Sequence, residues 1–442
     1  MTPPLSTRRR SRSNHPLANP SFLALWAVQA VTQTVQNVIN FSLLVLAQTV
    51  TGSSAQVAFI ILSFSFPAVI FSTLAGVLVD RWDKRRVMAW SNAIRGAAVL
   101  SYIFVNKPSE MAWVYTASFI FATSALFFSP AMGTLIPKIV GKDQLIAANS
   151  IFNVTFMASQ FLGFTIIGWL MIRTLGLRNV FIVVFTIYLI ASVVIALLPL
   201  PTMKAVAQKA GNPLDRMWTE LLEGWRYIAA RRQMVVTILH LSIANAIFLV
   251  IGAIGPAFVS EIIKRRAEDL GLLLAPAGIC ALLGALAVQH FARPNNRHGM
   301  VHFGLIGVGA SIIGLAVIAP AVRLLGRFTA IDLSLSQLTA LAVVLGMGFG
   351  FSAAFVAIPA QTVLQESSTD EIRGRVLATF FTVSNAASFL PIVLAGAVAD
   401  RLGILETFGL VGAFILAVGA LSQYNYTRYP EAWRIRTPGS ID

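Results

Sequence analysis

The residues best placed to do chemistry in this chain are charged groups at the ends of long apolar runs. Gly76, Asp80 and Arg81 form a Gly-x-x-x-Asp-Arg pattern; the small residue lets another helix approach closely, and the acid one turn later can meet a helix N-terminus or an arginine from a neighbouring bundle. Arg81, Lys84, Arg85 and Arg86 continue the stretch as a basic cluster. The same letters return at Gly396, Asp400 and Arg401. A third group places Glu366, Asp370 and Glu371 opposite Arg373 and Arg375 around a short polar turn, a set suited to salt bridges that exchange partners. No Ser/His/Asp, metal-ligand or paired-carboxylate arrangement emerges, so neither an enzyme nor a bound metal or cofactor is expected. Charges of this kind make and break ion pairs as helices move.

A second class of candidates lies inside the apolar runs, where a polar group needs a partner or a cavity. Gln29, Gln33, Gln36, Asn37 and Asn40 recur at steps of three, four and seven, which places their amides along one side of a helix. They either line a central cavity or hydrogen-bond between helices. Asn153, Gln160 and Asn245 are weaker candidates for the same role. Arg95 is the clearest buried charge, and it needs an acid, a carbonyl or water; pairing near Asp80 and contact with an anionic substrate are both open. His240 is the most plainly embedded histidine, and it serves either packing or proton exchange.

The elements that must position these residues follow from composition. The 442 residues are 57% hydrophobic and only 12% charged, which leaves too little charge for a water-facing shell. The apolar residues gather in blocks of roughly 18 to 25, the length a helix needs to cross a ~30 Å hydrocarbon layer. Continuous apolarity excludes the alternating strands of a β-barrel. Twelve spans are predicted, over 20–48, 55–79, 87–105, 111–135, 150–172, 178–199, 234–258, 270–290, 300–322, 335–360, 376–398 and 404–424. The fold class is therefore an all-α polytopic membrane protein with two six-helix bundles, 20–199 and 234–424, between tails at 1–19 and 425–442. The gap 200–233 joins the bundles; Met217, Leu221, Leu222, Trp225 and Ile228 recur at helical steps there and predict an amphipathic helix on the membrane surface.

Charge gives the orientation. With the N-terminus in the cytoplasm, 23 Lys and Arg fall inside and nine outside, which places both termini inside. Lys264, Arg265 and Arg266 fall on the disfavoured outer side, near Glu261, Glu268 and Asp269. The net charge of +15 does not mark a nucleic-acid binder, because the basic residues lie in short gaps between apolar blocks. The lone Cys280 excludes an internal disulfide and any cysteine-built metal site, and no cleavable signal peptide is expected.

The stretch from Gly76 to Arg86 resembles the loop signature between the second and third helices of the major facilitator superfamily, with Asp83 where that family usually has glycine. The resemblance implies that Asp80, Arg81 and Arg85 belong to a latch closing the cytoplasmic side. Phe127 to Ser150 and Ile358 to Ala378 narrow it to the branch containing the enterobactin exporter and macrolide-type efflux proteins. Gly396, Asp400 and Arg401 occupy the corresponding place in an inverted repeat, which makes them a candidate outer latch. The expected function is secondary active export of amphipathic organic compounds from a bacterial cytoplasm, by alternating access and proton antiport, by a monomer of the inner membrane whose partners are lipids and a small-molecule substrate. Uptake of a small metabolite or ion and lipid flipping are the alternatives. No phosphate-cradling loop is present to couple transport to ATP; a proton would be carried by His240, Asp80, Glu366 or Asp400, since the middles of the spans lack an evident acid.

Overall fold

Apolar runs of this length satisfy their backbone hydrogen bonds internally, and the local signals for starting and ending helices lie between them. The computed structural model describes residues 16–199, 213–293, 296–328, 335–368 and 370–428. Among these residues, fourteen α-helices follow in order. The first half contains α1 (Pro20–Thr51), α2 (Ser54–Arg81), α3 (Lys84–Ser101), α4 (Met111–Ile139), α5 (Leu145–Phe161), α6 (Gly168–Leu175) and α7 (Leu177–Leu197). A linker helix, α8 (Pro213–Ala229), leads to α9 (Arg232–Ala257), α10 (Leu270–Phe291), α11 (Arg297–Phe328), α12 (Leu335–Glu366), α13 (Asp370–Leu402) and α14 (Ile404–Arg428).

Caps explain the boundaries. The Asn19 side chain accepts from the backbone N–H groups of Ser21 and Phe22 at the start of α1, with Pro20 in the first turn. At the other end Gly52 takes the left-handed conformation, φ 64°, and its N–H closes on the Gln48 carbonyl. The turn between α2 and α3 is tied from both sides: Asp83 accepts from the Arg86 N–H to cap α3, while the buried Lys84 ammonium donates to the carbonyls of Val79 (2.7 Å) and Trp82 (3.2 Å) at the end of α2. Lys84 thus does more than hold its loop on one side of the membrane.

Eleven spans among the described residues are long and apolar enough to cross a membrane. The twelfth, α3, begins with Lys84, Arg85 and Arg86 and buries Arg95, yet it packs along α4 and α7 within the bundle. The all-α, twelve-span architecture expected from the sequence is present. Several helices outrun the expected spans: α1 reaches Thr51, α12 reaches Glu366 and α13 runs from Asp370 to Leu402. The charged groups near Glu366 and Asp400 consequently sit on the protruding ends of helices and not in loops. Of the expected tails and linker, 1–15, 200–212 and 429–442 lie outside the described residues.

One span illustrates how sequence becomes packing. Along α10, Ile279, Leu282, Leu283 and Leu286 are all more than half exposed, forming an apolar stripe that suits lipid. Ala277, Cys280, Gly284 and Val288 turn inward on the other face. Close approach to α12 depends on small residues: a Cβ added at Gly350 would collide with the Ala277 backbone, and one at Gly284 would lie 2.5 Å from the Phe351 carbonyl oxygen. Between the halves, α13 lies against α2, α2 against α9, and α10 against the α5–α6 span.

That last span contains a π-helical turn, Leu162–Ile167, between α5 and α6. Gly163 faces α1, where an added Cβ would lie 2.6 Å from the Thr34 carbonyl oxygen, and Gly168, five residues on, faces Phe41 of the same helix. Phe161 and Trp169 point instead to α10, against Gly278 and Gly271. The wide turn lets one span serve two seams.

Candidate functional site

A cavity of about 190 Å³ lies among α1, α3, α4 and α5. Gln29, Gln33, Gln36, Arg95 and Asn153, all candidates from the sequence, contribute to its wall. The α1 amides arrive there because helical spacing stacks them on one side, and Gln29 Nε2 donates weakly to Gln33 Oε1 at 3.5 Å. Asn37 belongs to the packing between helices: its Nδ2 donates to the Gln33 carbonyl at 2.9 Å and to the Ser159 carbonyl on α5 at 3.5 Å. Asn40 and the exposed Gln160 do not line this cavity. Asn245 donates to Ser388 Oγ at 3.2 Å and links α9 to α13.

Arg95 is 2% exposed. Its guanidinium donates to Gln36 Oε1 at 3.2 Å and to Asn92 Oδ1, and it sits over the rings of Tyr188 at 4.8 Å and Phe128 at 5.3 Å. Desolvating such a charge costs several kcal/mol. Hydrogen bonds at a charged group return about 1.5–3 kcal/mol each, and a dry cation–π contact about 2 kcal/mol. Neutral groups therefore sustain the buried cation, and among the described residues no carboxylate lines the cavity. The sequence reading did not identify Asn92, Phe128 or Tyr188 as partners; Asn92, one turn before Arg95, was the only local signal.

The second feature joins the bundles at the end away from the basic α2–α3 turn. The carboxylate of Asp400, at the end of α13, accepts from the Ser53 hydroxyl at 2.5 Å, the Ser54 N–H at 2.7 Å and the Ala55 N–H at 3.2 Å. It caps α2 from the other half of the molecule. Gly396, on the same face one turn earlier, makes the approach possible: an added Cβ would lie 2.8 Å from both Ala55 Cα and the Ser54 carbonyl oxygen. Arg401 is exposed. Nearby, Asp269, the residue just before α10, accepts from Trp169 Nε1 at 3.3 Å and pairs with Arg173 Nη1 at 3.2 Å, a second tie across the bundles. Sequence reasoning had grouped Asp269 with the Lys264 cluster; in the fold Arg266 takes Glu268, at 2.5 Å, and Asp269 serves α6.

Gly76, the matching glycine at the basic end, is in the opposite condition. A Cβ at Gly76 would have nothing within 4 Å. The side chains of Asp80, Asp370 and Arg373 lie outside the described residues. Arg85 is partly buried, while the exposed Arg81 lines a groove of about 580 Å³ with Trp82, Arg86 and Trp90 on the α3–α4 face. Glu366 pairs with Arg297 of α11, and Arg375 with Glu223 of the linker helix at 2.5 Å. These two charges thus find partners outside the polar turn. The buried His240 shares a 3.0 Å hydrogen bond with Ser422 and lies 6.4 Å, ring to ring, from His302, away from the α1–α3–α4–α5 cavity.

Known proteins match this arrangement along most of its length. The family model of the Major Facilitator Superfamily matches residues 25–390. The multidrug efflux pump Tap of Mycolicibacterium fortuitum is 25% identical over 432 residues, 92% of this chain and 95% of that protein. Macrolide efflux protein A of Streptococcus pyogenes is 21% identical over 403 residues, covering 90% and 94% respectively. The nucleoside transporter NupG superposes with a TM-score of 0.71 at 14% identity, over 92% of this chain and 99% of NupG. A bacterial homologue of the human lysosomal transporter Spinster, in an inward-facing and unoccupied conformation, gives 0.65 at 14% identity, over 94% and 93%.

Proposed function

The chain belongs to the Major Facilitator Superfamily, and from that premise we propose that it exports amphipathic organic compounds across a bacterial inner membrane by alternating access, in exchange for protons. Membership makes it a secondary-active, multi-pass membrane transporter of small molecules and not an enzyme. Direction, cargo and coupling are the parts proposed.

One observation carries the reading: the chain holds two copies of Gly-x-x-x-Asp-Arg at opposite ends of the bundles, with Gly396 packed against α2 and Gly76 facing open space. A latch docked at one end while its twin stands clear at the other is what alternating access requires. The bias of basic residues supports a cytoplasmic location for the Gly76 end and for both termini. The Asp400 latch then closes the outer exit. Its carboxylate also suggests a route for coupling, because a proton taken from outside would remove the charge that caps α2 and favour opening toward that side. The efflux roles in the names of the Tap and macrolide relatives agree with export, as do cavity walls that combine amides with aromatic rings. The chain acts as a monomer in this scheme.

Inside-out vesicles test the proposal. Uptake of a lipophilic dye should rise with an imposed pH gradient that is acid inside the vesicle, and Asp80→Asn should insert normally yet transport far more slowly. Flux indifferent to the gradient would remove proton exchange, and equal flux from equally abundant Asp80→Asn protein would remove the inner latch.

A further inference from the structure

We propose that the cavity around Arg95 is a subsite for a carboxylate, so that the preferred cargo is an apolar or aromatic acid and not an organic cation; the inference deepens the export reading and rests on it. Arg95 lines the cavity while 98% of its surface is buried, its oxygen partners are the neutral amides of Gln36 and Asn92, and its Nε has no hydrogen-bond partner. The acids of its own half cannot neutralise it. Residues 1–199 contain only Asp80, Asp83, Glu110 and Asp143. Each stands in the last turn of a helix or just before the next one begins. Arg95 lies eleven residues into α3, which at 1.5 Å per residue is roughly 16 Å from the turn that holds Asp80 and Asp83.

The cavity therefore presents one unopposed positive charge inside an amide and aromatic wall. A carboxylate matches a guanidinium in charge and in fork geometry. Gln29, Gln33 and Asn153 offer donors to its remaining lone pairs, and Phe152 and Phe156 offer ring surface to the group that bears it. About 190 Å³ holds the acidic head and part of a ring system, so the body of a larger cargo extends outside it. A cationic head would meet like charge with no acid to offset it.

Calorimetric titration of the purified full chain in detergent with three probes of one shape, 1-naphthoate, 1-naphthamide and 1-naphthylmethylammonium, tests the assignment. The expected order is naphthoate at least tenfold tighter than naphthamide, with the ammonium weakest. Arg95→Gln should bring naphthoate and naphthamide level, Arg95→Lys should retain the preference for the acid, and Gln33→Glu, which adds a carboxylate without removing the arginine, should shift preference toward the ammonium. Wild-type binding of the amide or ammonium as tight as that of the acid would overturn the subsite. An acid preference that survives both Arg95→Gln and Gln33→Glu would do the same. Vesicle transport separates this from the export reading: acid-selective binding without naphthoate accumulation in inside-out vesicles would overturn export and leave the subsite, whereas accumulation of naphthamide with no binding preference would overturn the subsite and leave export.

Discussion

Replacing Asp400 with asparagine isolates the charge of the cross-bundle cap while nearly preserving its shape. The wild-type carboxylate accepts from one hydroxyl and two backbone N–H groups at 2.5–3.2 Å. The amide keeps one acceptor oxygen and turns an NH₂ group toward donors. Loss of a negative charge at an exposed helix N-terminus removes about 0.3–1 kcal/mol. Exchanging charge-assisted hydrogen bonds for neutral ones removes about 1 kcal/mol more at a site partly screened by water. The sum, about 1–2 kcal/mol, corresponds to a shift of roughly 5- to 30-fold in the balance between closed and open states. Spin labels at the exposed Leu175 of α6 and Leu402 of α13, which belong to different bundles, would report that balance as a distance distribution. Cys280 is buried and can stay in place. Asp400→Asn should transfer population from the short to the long distance by that factor, while Arg401→Gln, altering an exposed neighbour, should not. An unchanged distribution from well-folded Asp400→Asn protein would refute the argument that this carboxylate holds the bundles together.

Two further outcomes follow from the same geometry. Gly76→Ala should leave the thermal midpoint near wild type, because nothing lies within 4 Å of the added Cβ, yet it should slow turnover by hindering docking of the inner latch; normal vesicle transport would contradict this. Arg173→Ala and Asp269→Asn should each loosen the closed end by about 1 kcal/mol or less, since the arginine side chain is 51% exposed, and a double-mutant cycle on the same label pair should give a coupling energy within that range.

The membrane fold was legible because a span must be one long apolar block, and α3 was legible despite its charges because it falls between two such blocks. Gln29, Gln33, Gln36 and Asn153 stood out as candidates because an amide inside hydrocarbon needs a partner or a cavity. Periodicity alone could not separate the cavity residues from Asn37, since one step around a helix decides whether an amide meets space or the Ser159 carbonyl. Partners distant in sequence were hidden for the same reason. Arg95 meets Gln36 and Tyr188, and Arg173 meets Asp269, only after helices distant in sequence have packed. The double tie at Lys84 was masked by the topology rule, which counts a lysine in a loop as a surface charge whatever its side chain binds.

The π turn at Leu162–Ile167 sets the aim of everything beyond it on that span. Each residue on a helix turns the chain by about 100°, so deleting one residue there would swing Trp169 and Arg173 a quarter-turn or more away from Asp269. The tie across the outer end thus rests on a single extra residue deep in the span, where a change of length too small to disturb insertion would leave the two halves misregistered.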